Sequence, residues 1–240
     1  MKLLFHISLV ASAFATSGLR GGGVREGGAK DTPCLCIFDV DRTLTGAQGS
    51  AASKCAADKE VSGVSDSAYG GGTLTISALA QGVSGTFCDS CSLALCSAGD
   101  ASGPGSKERD YILNNVLGGS ARVGGASEWD DDGEQGGKVT SPLVTRQRDG
   151  QKQDAAKAIV EWYASSAKIT FDPSNVYFFD DRADNVSPFA GSGFNAHQVS
   201  CATRDSSKMG LVGLCGATAS EIVRKSGIST CSSAPQVATE

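Results

Sequence analysis

The chain has 240 residues, 40% hydrophobic and 20% charged, apolar enough for one or two domains with a packed core and too apolar for wholesale disorder. Twenty-one basic against 26 acidic residues leave a net charge of −5, which argues against a nucleic-acid partner because such binders carry a basic surplus or stripe. No apolar run is long enough to span a bilayer.

In chain order, Met1-Lys2 followed by an apolar stretch to Phe14, with small residues at Ala11, Ala13 and Ala15, is the layout of a secretory signal peptide over residues 1–15. Ala11-Ser12-Ala13-Phe14-Ala15 also resembles the signal/transit junction of proteins imported into the complex plastids of algae. Thr16–Lys30, rich in glycine with Glu26 as its only acid, therefore makes residues 16–32 suit either a linker or a transit peptide. Behind such a signal the nine cysteines can form disulfides, and the odd count leaves at least one over. Cys36 and Cys96 lie inside apolar runs and are expected to be small buried hydrophobes. Cys88 and Cys91 precede a strand instead of following one, so this Cys-x-x-Cys is expected to be a structural disulfide.

Residues 33–39, 93–97, 175–180 and 196–201 are short, near-continuous apolar runs, the pattern of strands buried on both faces. Helical stripes are expected over Leu74–Val83, from a Ser106 cap to Leu117, over Lys152–Ser165 and briefly over Ser220–Ser226. Strands alternating with helices predict an α/β fold, a three-layer α/β/α sandwich around a doubly wound parallel sheet, across residues 33–228. Thr45–Gly72 is irregular, with room for a small lid. Residues 118–138 hold the acidic run Asp130-Asp131-Asp132-Gly133-Glu134, which lacks the spaced ligands of a calcium loop and is expected to be solvated. Residues 229–240 have the character of a flexible tail.

Open parallel sheets bind ligands beyond the carboxyl ends of their strands. Here three strands end in polar groups: Asp39 and Asp41, then Ser97, then Asp180-Asp181 with Asn185 close behind. Of two carboxylates leaving one strand, one can attack while the other delivers a proton, and their repulsion favours a bound divalent cation. Lys152 shares a helical stripe with Ala156, Ile159 and Tyr163, which turns it toward the sheet. Arg42 and Arg182 either meet a substrate phosphate or point to solvent. His197 is expected to be structural, and Gly210, Gly213 and Gly216 ordinary turns.

Ile37-Phe38-Asp39-Val40-Asp41-Arg42-Thr43-Leu44-Thr45, an apolar strand followed by Asp-x-Asp-x-Thr-Leu, resembles the first motif of the haloacid dehalogenase-like (HAD) hydrolase superfamily. Ser97, Lys152 and Asp180-Asp181 fall in the order and spacing of its other motifs, from residue 34 to about 201, although position 42 is often glycine in that family. The resemblance implies a Mg²⁺-dependent phosphohydrolase with Asp39 as nucleophile and Asp41 as proton donor and then base. Ser97 would bind a phosphoryl oxygen and Lys152 would balance developing charge. Mg²⁺ would be held by Asp39, the Asp41 carbonyl and Asp181, with Asp180 and Asn185 in support. Only about fifty-five residues lie between Asp41 and Ser97, and about as many between Ser97 and Lys152, which implies a small or absent cap and a phosphorylated small molecule or phosphoprotein as substrate. A catalytically silent binding or assembly module, or a phosphotransferase, remains the alternative on the same scaffold.

Overall fold

The computed structural model describes residues 32–48, 54–135 and 137–231. The expected signal peptide (1–15), the linker or transit segment (16–32) apart from Thr32, and positions 232–240 of the tail lie outside the described residues.

The described residues form eight strands: β1 (Leu35–Phe38), β2 (Lys59–Asp66), β3 (Gly72–Ile76), β4 (Ser92–Cys96), β5 (Leu143–Val144), β6 (Val176–Asp180), β7 (Asn195–Gln198) and β8 (Ile228–Ser229). Six pair in parallel in the order β5-β4-β1-β6-β7-β8, so the chain works outward from β1 in one direction and then in the other. Side chains alternate along a strand. Cys34, Cys36 and Phe38 therefore enter the core on one face of the sheet, and Leu35 and Ile37 the core on the other.

Helix α1 (Lys107–Tyr111), which winds on through Ile112–Val116, covers the first face with Ile112, Leu113, Val116 and Leu117. Ser106 starts it as expected, its Oγ accepting from Arg109 N at 3.3 Å. Helix α2 (Lys152–Trp162) lays Ala155, Ala156, Ile159 and the following Tyr163 on the second face, beside α3 (Ala183–Val186). Tyr163 fills that core completely, and its hydroxyl donates to Leu93 O at 2.6 Å, which spares a buried polar group. The result is a six-stranded parallel sheet flanked by helices, compatible with a Rossmann-like sandwich. No helix among the described residues is long and apolar enough to cross a membrane.

Several local expectations are corrected. Leu74–Val83 is not a helix: Thr73-Leu74-Thr75-Ile76 is a β-branched alternation that lies in β3, and Leu79 and Ala80 follow in turns. The irregular stretch before it supplies β2, antiparallel to β3, with a bulge between Glu60 and Ser65; Val61 and Val64 pack on the core. Residues 49–53 of that stretch are outside the described residues. The acidic loop is not simply solvated, because the buried Asp130 accepts from Thr140 N at 2.6 Å and Thr140 Oγ1 at 2.9 Å, and Asp131 pairs with Arg109. Ser220–Ser226 forms only the single turn Ala219–Glu221, closed by a Thr218/Glu221 capping box.

Four disulfides join Cys34–Cys91, Cys36–Cys88, Cys55–Cys215 and Cys201–Cys231, and Cys96 is free and buried. Cys36 is thus not a free hydrophobe, and Cys88 and Cys91 do not bond each other. Residues 34 and 36 share a face of β1, so both reach the turn ahead of β4 and staple the two strands together. Ser229 and Cys231 belong to the fold and not to a tail, through β8 and the Cys201 bridge.

Candidate functional site

The carboxyl end of β1 opens into a tight loop, Val40–Leu44. Asp39 is still extended and donates its N–H to Phe179 O at 2.9 Å, Asp41 is extended (φ −72°, ψ 122°), and Arg42 turns left-handed at φ 66°. The reversal puts both Asp39 and Asp41 on the wall of one cavity of about 340 Å³. Glycine takes such a φ freely, whereas here the arginine side chain compensates. Its Nη1 donates to Leu214 O at 2.9 Å, Nη2 lies 3.6 Å from Asp205, and the guanidinium sits 4.7 Å from the Tyr69 ring centre. Arg42 is buried, so it does not point to solvent, and it is not among the residues that line this cavity.

The loop after β4 forms the next wall with Ala98–Ser102. Ser97 stands one layer behind it: buried, its Oγ accepts from Gly99 N at 3.2 Å, and it is not among the cavity-lining residues. Gly99 leaves room for Asp41, since a Cβ there would clash with Asp41 Oδ2 and displace that carboxylate.

Helix α2 begins at Lys152, whose buried ammonium donates to Asp39 Oδ1 at 2.6 Å and Asp180 Oδ2 at 2.7 Å. Burial alone would lower the lysine pKa, but Asp180 and Asp39 outweigh it and hold the ammonium protonated well above its usual range. Asp180, wholly buried, also accepts from Asn185 Nδ2 at 3.0 and 3.1 Å and from Arg182 N at 2.8 Å. Asn185 Oδ1 in turn takes Gly150 N at 2.7 Å, which ties the end of β6 to the start of α2. Asp181 lines the cavity, with Oδ2 accepting from Gly213 N at 2.5 Å. Gly213 is therefore more than an ordinary turn. Arg182 also lines the cavity, and its guanidinium is held by Asp184 at 2.5 Å and lies 3.7 Å from Asp149.

Of the residues singled out from the sequence, Asp39, Asp41, Lys152 and Asp181 share the cavity wall; Asp180 and Asn185 brace it and Ser97 lies behind it. Burial drives Asp39 and Asp181 well above the ordinary carboxylate range, and Asp180 adds to both by repulsion. Burial, then Asp66 and Glu108, pushes Asp41 up to about 8, so that it is protonated at neutral pH. Oxygens of Asp39, Asp180 and Asp181 lie within 4.8 Å of one another. Three buried carboxyl groups facing one ammonium are a hard-oxygen donor set that could hold a metal ion. Asp180 is already engaged with Lys152, Asn185 and Arg182 N, which leaves Asp39 and Asp181 as the ligands facing the cavity.

Sequence reasoning left room for a small lid in Thr45–Gly72 but named none of the residues that form the fourth wall. The hairpin tip, Asp66–Tyr69, closes over the cavity, with Asp100 and Asp149 completing its rim. The alternation in Thr73–Ile76 would have signalled a strand, but nothing in local periodicity says which surface a hairpin covers.

Compared with known proteins, no family model matches the chain, and no curated protein and no solved structure matches it.

Proposed function

We propose that the chain is a Mg²⁺-dependent phosphohydrolase of the HAD-like type. The observation that carries this reading is the meeting of Asp39, Asp41, Lys152 and Asp181 on one cavity at the carboxyl edge of a parallel sheet. A carboxylate oxygen of Asp39 attacks phosphorus, the bond from phosphorus to the leaving oxygen breaks, and that oxygen takes the Asp41 proton. Water then attacks the aspartyl phosphate, Asp41 takes back a proton, and the bond to Asp39 breaks to release inorganic phosphate. A carboxyl pushed up to about 8 by burial suits both proton transfers near neutral pH. Lys152 fixes the attacking carboxylate and offsets charge beside it. Mg²⁺ held by Asp39, Asp181 and the Asp41 carbonyl would supply the positive charge that lets a carboxylate approach a phosphate.

The lid is a single hairpin, which suits a phosphorylated small molecule or a phosphorylated side chain on a protein. Four disulfides suggest an oxidising, secreted or lumenal environment, in keeping with residues 1–15 acting as a signal peptide. The test is hydrolysis of p-nitrophenyl phosphate by the oxidised full chain. Turnover is expected with MgCl₂, none after EDTA, and a loss of about 10³-fold or more in Asp39→Asn. Full activity in that variant overturns the reading.

A further inference from the structure

Beside the first group of carboxylates is a second, built from three separate segments: Asp41 from the loop after β1, Asp66 from the end of β2, and Glu108 from the first turn of α1. One oxygen from each lies within 4.8 Å of the others. Among the described residues none of the three has an ion-pair partner. The basic side chains that act on them are committed elsewhere: Arg42 to Asp205, Arg109 to Asp131, and Lys152 to Asp39 and Asp180.

The hydrogen bonds around the cluster are incomplete at one point. Asp66 accepts from Ala68 N at 2.7 Å and Gln48 Nε2 at 2.6 Å. Glu108 is fully buried, and although Oε2 accepts from Ser102 Oγ, Oε1 has no hydrogen-bond partner among the described residues. A buried carboxylate oxygen without a donor costs free energy comparable to a lost charged hydrogen bond, so it calls for a ligand. A third acidic group, around Asp58, offers nothing comparable, because Cys55 and Cys215 are joined in a disulfide.

We propose that Asp41, Asp66 and Glu108 form a second site for a hard divalent cation, Mg²⁺ or Ca²⁺, separate from that of Asp39 and Asp181. Carboxylate oxygens are the donors both ions take, and three clustered carboxyl groups with no basic partner are a set that such an ion would hold together. Its ligands come from the loop after β1, the hairpin and α1, so a bound ion pins the lid to the body of the molecule. It also occupies the carboxylate of Asp41. On the phosphohydrolase reading, on which this consequence alone rests, filling the second site withdraws the proton donor and excess cation slows turnover.

Titration calorimetry of the metal-free, oxidised full chain with CaCl₂ and, separately, MgCl₂ tests the site without any substrate. Two equivalents are expected for at least one of the ions. Glu108→Gln and Asp66→Asn should each retain one, and Asp181→Asn should retain one, with near-ultraviolet circular dichroism confirming that each variant is folded. A single equivalent that Asp181→Asn abolishes, or two equivalents surviving in both folded Glu108→Gln and Asp66→Asn, overturns the second site and leaves the phosphohydrolase reading standing. A single equivalent lost in Glu108→Gln but kept in Asp181→Asn supports the second site and counts against the first.

Discussion

Lys152 holds two buried carboxylates, and its replacement shows how a catalytic constellation and a stable core depend on the same charge. Lys152→Met leaves the buried carboxyl groups of Asp39 and Asp180 without their ammonium. Removing one partner of a buried ion pair costs about 3–5 kcal/mol; urea denaturation should show a loss of that size, and a change below about 1 kcal/mol would contradict the pairing. His197 behaves differently. Its Nδ1 lies 2.7 Å from Ser229 Oγ and its Nε2 2.9 Å from Lys225 O, and burial keeps its pKa below 6.5. The unfolded chain takes up a proton near pH 6.5 that the folded chain refuses, so the stability His197 contributes is present above pH 6.5 and is lost as the pH falls below it. Urea midpoints of the wild type should therefore fall relative to those of His197→Gln between about pH 7 and pH 5. Parallel curves would show that the ring is not held neutral.

At the scale of elements, the β4–α1 connection serves both the cavity wall and the start of a helix, and two substitutions separate those duties. Gly99→Ala places a methyl group where Asp41 Oδ2 lies. The carboxylate is the movable end of a side chain, so it swings away at small cost in stability. Turnover should drop by about 10²-fold, the scale of a misplacement of about 1 Å, while the urea midpoint stays nearly unchanged. Ser106→Ala removes the cap from α1. It should cost about 1 kcal/mol by chemical denaturation, with turnover retained wherever the chain is folded. If both variants lose stability and neither loses turnover, the loop does not position Asp41.

For the whole molecule, the disulfides set the balance between core and chain entropy. Cys55–Cys215 spans 160 residues and Cys201–Cys231 spans 30. On the loop-entropy account the longer closure contributes about 5 kcal/mol and the shorter about 3.5. The paired variant Cys55→Ala/Cys215→Ala should accordingly unfold at lower urea than Cys201→Ala/Cys231→Ala. The reverse order would mean that local strain, and not closure length, governs these bridges. Reduction of all four should destabilise the fold more than either double variant.

The strands that carry the site were legible because each is buried on both faces and must be written as a continuous apolar run; Ile37-Phe38 and Tyr177-Phe178-Phe179 admit little else. The acids at their ends and the sheet-facing Lys152 were legible too, since strand direction and helical period are local properties. Partners chosen across distance were not. Which cysteine bonds which depends on Cys34 and Cys36 sharing a face over one turn, and the hairpin is recognised only once β2 has a β3 to pair with. The place of Glu108 beside Asp66 and Asp41 belongs to the same class, because three segments far apart in the chain meet there only after the sheet has formed. Local pattern determined the strands buried on both faces, their polar ends and the helices that start at Lys107 and Lys152. Tertiary packing decided the bridges, the lid and the second acidic cluster, because burial of charge and closure of loops are properties of the folded whole.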